Sequence, residues 1–174
     1  MRSFQLDQNS NHKQLANQCN AEGRCFVRRL PTELVDEDDG VILPALLAKE
    51  ATLLTMDFRI VEDNPGCIPP QNPGIVVVLA RPNTADLMKR MLARFKSECP
   101  EWPDFNWSQI YAEIDEREIY VSKLVDGNTE AGTAIPFGVP GFAGLLADAI
   151  AALKPSPPAD KLPTSEKPDD NLSN

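Results

Sequence analysis

The run IVVVLA (75–80) constrains the fold of this chain more than any other feature. Its first four residues are β-branched, which suits the pleated surface of a strand and resists a helix. NPG (72–74) introduces it and Arg81–Pro82 closes it, so backbone breakers bound it on both sides. It is also the longest uninterrupted apolar stretch, and it is too short to cross a bilayer. The opening residues MRSFQLDQNS contain no apolar segment of the export type. A cytoplasmic protein without a membrane span is expected.

Around this strand the remaining elements fall into an alternating order. SFQLD (3–7) alternates apolar with polar and predicts a strand ending at Asp7. Asn9, Ser10 or Asn11 can cap a helix that puts Leu15, Ala16 and Cys19 on one face and stops at Gly23. RCFVRRL (24–30) predicts a second strand, ended by Pro31. The acidic run VDEDD (35–39) precedes an apolar helix over 41–50, which Pro44 predicts to start late or irregularly. ATLLTMD (51–57) reads as a buried strand closing on a polar end. A loop rich in proline and glycine (64–74) leads into the IVVVLA strand. TADLMKRMLARFKSE (84–98) is an amphipathic helix capped by Thr84, with Leu87, Met91, Leu92 and Phe95 on one face.

WSQIYAEIDEREIYVSKL (107–124) alternates on both sides of Asp115–Glu116 and predicts a β-hairpin. FAGLLADAIAAL (142–153) places Phe142, Leu145, Leu146, Ile150 and Leu153 at helical spacing, with docking on the core as the expectation. Residues 154–174 are proline-rich and nearly free of apolar side chains, so they are expected to form a disordered tail. The order predicts an α/β domain over 1–124, its sheet mostly parallel with helices on both faces and a C-terminal antiparallel hairpin. Residues 125–153 are then an extension carrying the apolar helix.

Composition narrows the function classes. The four cysteines (Cys19, Cys25, Cys67, Cys99) lack any C-x-x-C spacing and the single histidine, His12, has no cysteine partner. Structural zinc and a disulfide scaffold are both disfavoured. The net charge of −9 lacks the basic footprint of a tight, non-specific nucleic-acid binder, so a nucleic-acid substrate would need a local basic patch. No glycine pattern for nucleotide phosphates follows any strand.

Open α/β sheets bind ligands beyond the carboxyl ends of their parallel strands. Asp7 and Asp57 fall at two such predicted ends, and Asp39 falls at the start of the helix that feeds the second. Taken singly, aspartates at these places often cap helices or satisfy turns. Gathered at one edge, three carboxylates repel one another unless a cation or protons compensate. Mg²⁺ or Mn²⁺ suits such an all-oxygen set and can activate a water against a phosphodiester.

Two blocks carry a family resemblance. FQLDQN (4–9) is similar to the F-L-L-D-E-N opening of small PIN-like proteins, predicted nucleases often assigned to toxin–antitoxin loci. DGVILPALLAKEATLLTMDF (39–58) resembles that family's central block, in which an aspartate opens a helix and T-x-D-x-D-F ends the next strand. NPGIVVVLARP (72–82) resembles its P-G-V-I strand, and the hairpin at 109–124 also fits. The resemblance runs from about Phe4 to Leu124. It implies a PIN-like three-layer fold and a metal-dependent endoribonuclease, with Asp7, Asp39 and Asp57 as catalytic, Mg²⁺- or Mn²⁺-binding acids. Asn9 and Thr55 become supporting polar groups, RNA the substrate, and an antitoxin or other protein a partner. DNA and membranes are not expected as partners. Gln8 stands where the family has glutamate and Arg59 where it has the second aspartate, with Glu62 and Asp63 close by.

Arg28 and Arg29, at the carboxyl end of the second strand, are the candidate phosphate-binding residues, while Lys89, Arg90, Arg94 and Lys96 read as a solvated helix face. Two other readings compete. A response-regulator receiver would want two adjacent acids after strand one and a hydroxyl after strand four, where this chain has Asp7–Gln8 and Ala80–Arg81. A catalytically degenerate PIN-like module that binds a protein partner agrees with Gln8, Arg59 and the acidic charge, and helix 142–153 could supply its contact surface.

Overall fold

A computed structural model describes residues 3–7, 13–20, 26–48, 50–82 and 84–154. The expected cap at Asn9–Asn11, the stop at Gly23 and the tail from 155 onward lie outside the described residues, as do Gln8, His12 and Arg24. The strands are β1 (Ser3–Leu6), β2 (Phe26–Arg28), β3 (Thr52–Thr55), β4 (Ile75–Val78), β5 (Ile110–Ile114), β6 (Glu118–Val125), β7 (Asn128–Thr129) and β8 (Thr133–Pro136). The helices are α1 (Lys13–Asn20), α2 (Asp39–Leu47), α3 (Ile60–Asp63), α4 (Ala85–Glu98) and α5 (Phe142–Ala152).

The strands form one mixed sheet in the order β2-β1-β3-β4-β5-β6-β7, with β8 also paired to β6. From β2 to β5 every neighbouring pair is parallel, and β6 then runs antiparallel to β5, β7 and β8. The expected α/β class with a mostly parallel sheet and an antiparallel hairpin is therefore what forms. β4 is buried at every position, as its unbroken apolar run requires. Gly74 precedes it at φ +95°, where a Cβ would lie 2.0 Å from the Trp107 carbonyl oxygen, so only glycine lets the two chains meet there.

Strand parity sorts the core into two faces. Phe4, Leu6, Leu54, Val76, Val78, Ala112 and Ile114 point to one, with Ala16 of α1, α4, α5 and the Trp102–Trp107 loop. Leu53, Ile75, Val77 and Tyr111 point to the other, under α2 and α3. Thr84 caps α4 by accepting the Leu87 N–H at 3.3 Å, and the helix buries Leu87, Met88, Met91, Leu92 and Phe95.

Five details depart from the sequence reading. α2 starts at Asp39, before the expected position, and carries Pro44 in its interior. Burial of Ile42, Leu43, Leu46 and Leu47 outweighs the roughly 3 kcal/mol that an interior proline costs. α3, a single turn directly after Asp57, was not anticipated, because four residues are too few to show a period. Past residue 125, β7 and β8 extend the sheet and α5 seals its end with Phe142, Leu146 and Ile150 buried. Leu145, expected on the same face, is 48% exposed. β2 is short, and Asn20 holds it by accepting the Val27 N–H at 2.6 Å and donating to the Val27 carbonyl at 3.0 Å. Among the described residues, no helix is long and apolar enough to cross a membrane.

Candidate functional site

The strand order reverses between β1 and β3, and ligands bind above such a point because the connections leave in opposite directions and open a crevice. Leu6 pairs with Leu54, so Asp7 stands level with Thr55 across this point. Both are buried, Asp7 4% exposed and Thr55 fully enclosed. The Thr55 hydroxyl donates a hydrogen bond to Asp7 Oδ2 and accepts the Asp57 backbone N–H at 2.9 Å. One hydroxyl thus ties the end of β1 to the turn after β3. Half-buried Asp57 then accepts the Arg59 N–H on Oδ1 at 2.9 Å, which bends the chain into α3.

Asp39 occupies the first turn of α2, following Asp38 at the cap position, whose side chain makes no capping bond. The Asp39 carboxyl is held above the usual carboxylate range, first by burial and next by the negative charge of Asp57. Asp38 and Asp63 push in the same direction, while hydrogen bonding from Asn64 pulls the other way. Asp39 and Asp57 therefore share one electrostatic field, and Asp57 and Asp7 share one hydroxyl.

The acidic field reaches further than the sequence reading supposed. Thr55 is in register with Val77, and Val77 with Glu113. Glu113 accepts the Tyr111 hydroxyl at 2.6 Å. Tyr111 is kept protonated far above the ordinary tyrosine range by burial, then by the bond to Glu113, then by the charges of Glu113, Glu62 and Asp57. Arg59 makes a 2.6 Å ion pair with Asp63, both side chains about half exposed, at 57% and 47%. An exposed pair of this kind contributes about 1 kcal/mol or less.

Beside Asp57 opens a cleft of about 350 Å³, between the chain leaving β3 (Met56, Asp57, Phe58) and the chain leaving β4 (Leu79, Ala80, Arg81, Pro82). The Arg81 guanidinium lies 5.2 Å from the centroid of the Phe58 ring. Arg28 and Arg29, the basic residues singled out from sequence, are exposed at the end of β2, with β1 between them and β3. Lys89 pairs with Asp86 at 3.2 Å, and Arg94 lies over Phe137 while donating to the Glu116 carbonyl. Asn9 lies outside the described residues. Among the described residues, no three His, Cys, Asp or Glu side chains are grouped so as to hold a metal ion.

Sequence reasoning brought Asp7, Thr55, Asp57 and Asp39 to one edge and missed Phe58, Arg81, Tyr111 and Glu113. The signal for Arg81 was present, because it follows a parallel strand just as Asp7 and Asp57 do. No family model, curated protein or solved structure matches the chain.

Proposed function

We propose that this chain is a PIN-like, metal-dependent endoribonuclease of the toxin–antitoxin kind, with Asp7, Asp39 and Asp57 as the acids that take Mg²⁺ or Mn²⁺. The observation that carries the reading is the coupling of Asp39 to Asp57 at the reversal point of the sheet, with Asp7 bound to the same turn through Thr55. Carboxylates gathered at the mouth of a sheet call for a compensating charge. The donor chemistry fits a hard cation, since it is all oxygen and includes neither thiol nor imidazole. When bound, such an ion activates water and offsets charge on a phosphodiester.

The chain's own residues supply the rest. Thr55 orients Asp7 by donating to one of its oxygens. The turn at Asp57 directs that carboxylate beside the cleft, and burial of Asp39 weakens solvent screening of the site. Calorimetric titration with Mn²⁺ of the wild type and of Asp57→Asn tests the reading. Binding lost in the variant, together with RNA cleavage by the wild type, is the expected result. No heat at millimolar Mn²⁺ overturns it.

A second reading, a non-catalytic module that binds a protein partner, is favoured by one observation. Arg59, standing where the resemblance expects an acid, is committed to Asp63. Under that reading Mn²⁺ does not bind.

A further inference from the structure

The cleft between the ends of β3 and β4 joins three features that the metal chemistry does not use. Phe58 keeps 48% of its surface exposed, although burying an aromatic ring is among the larger gains open to a folding chain. Arg81 lies over that ring and makes no ion pair with any described residue. Of the remaining walls, Met56, Leu79, Ala80 and Pro82 are apolar, and Asp57 is the one acid. At about 350 Å³ the space falls within the roughly 300–1,000 Å³ of small-ligand clefts. Such a site accepts a group that is flat and apolar on one side and anionic on another.

We infer that this cleft takes one unpaired nucleotide of single-stranded RNA, its base stacked on Phe58 and its phosphate held by Arg81. Stacking on an exposed ring is open to any base, but only after the base has left a duplex, so the cleft selects unpaired strand. Arg81 is the cation among the lining residues, and it answers how a chain of net charge −9 admits a phosphate beside Asp57. The inference deepens the ribonuclease reading and rests on it for one point, that a nucleotide held here brings its phosphodiester next to Asp57. Binding itself requires no metal.

The experiment uses the full chain and a short single-stranded RNA carrying 2-aminopurine, titrated in EDTA. Fluorescence reports stacking and anisotropy reports affinity. The wild type should quench the probe and bind it, while the same sequence as a duplex should do neither. Phe58→Ala should abolish the quench and weaken binding about tenfold. Phe58→Trp should restore both. Arg81→Gln should weaken binding and reduce the slope of log affinity against log salt by about 0.7. Both residues are exposed, so thermal unfolding should find the variants folded.

Unchanged quench and affinity in Phe58→Ala overturn the inference, as does duplex bound as tightly as single strand, or no binding by the wild type. Mn²⁺ calorimetry on Phe58→Ala separates the two proposals. Metal binding without any stacking removes the cleft and leaves the acids. Phe58-dependent stacking without metal binding removes the nuclease and leaves the cleft.

Discussion

The two faces of the sheet are built from the same strands and have opposite characters. Under α4 and α5 lies an aromatic core in which Phe4 meets Trp102 at 4.7 Å, Phe95 meets Trp102 at 5.7 Å, and Phe137 meets Phe142 at 5.2 Å. Trp107 is fully enclosed there and donates its indole N–H to the Trp102 carbonyl at 3.0 Å. Even the Cys99 thiol is held inert, pushed up to about 11 by burial and then by Glu101. The face under α2 and α3 is aliphatic, with Tyr111 as its buried aromatic residue. By strand parity it also carries Gln5, Asp7, Thr55 and Ser122, all buried. The Ser122 hydroxyl has no hydrogen-bond partner among the described residues. Buried polar groups cost stability unless every one is satisfied. Asp7 and Thr55 put buried polarity at the carboxyl edge of this face, and tight aromatic packing fills the other.

This division makes predictions that can break it. Phe95→Ala removes the ring that touches Trp102, Phe137 and Phe142, and should cost about 3–5 kcal/mol in urea unfolding. A loss below about 1 kcal/mol would show that the aromatic face does not anchor the fold.

Thr55→Val keeps the shape but removes the hydroxyl shared by Asp7 and Asp57, and should cost about 1.5–3 kcal/mol by the same measurement. Thr55→Ser should recover most of it. If valine is tolerated without cost, the hydroxyl bridge does not hold the edge together.

The smallest effect has the opposite sign. Because the folded-state pKa of Asp39 is raised, the folded chain binds this proton more tightly than the unfolded chain. Its contribution to stability is complete below the ordinary carboxylate pKa and is lost as pH rises through the folded value. Asp39→Asn should therefore raise the melting temperature near neutral pH and flatten its fall across the window just above the ordinary carboxylate range. A melting temperature that drops in the variant would mean that Asp39 is held by favourable partners rather than crowded by Asp57.

Legibility in the sequence followed element length and period. α4, long and capped, was readable with four of its five buried residues, because fourteen residues show the helical period several times over. β4 was readable because a short β-branched run admits few other structures. α3 and β7 were not, since one turn and two residues carry no period. Among site residues, Asp7 and Asp57 were readable from their place after strands. Glu113 lies inside a strand, where alternation alone makes a polar residue look like ordinary solvent-facing pattern. Arg81 was read only as the absence of a hydroxyl.

The chain by itself determined the α/β order, the strand that sits at the centre of the sheet, and the acids at its carboxyl edge, because each is written in local composition. The tertiary structure alone decided that order reverses between β1 and β3, that Thr55 stands level with Asp7, and that Arg81 lies over the Phe58 ring at the cleft. Those are relations between residues 48 and 23 positions apart, and only strand pairing fixes which distant side chains share a row.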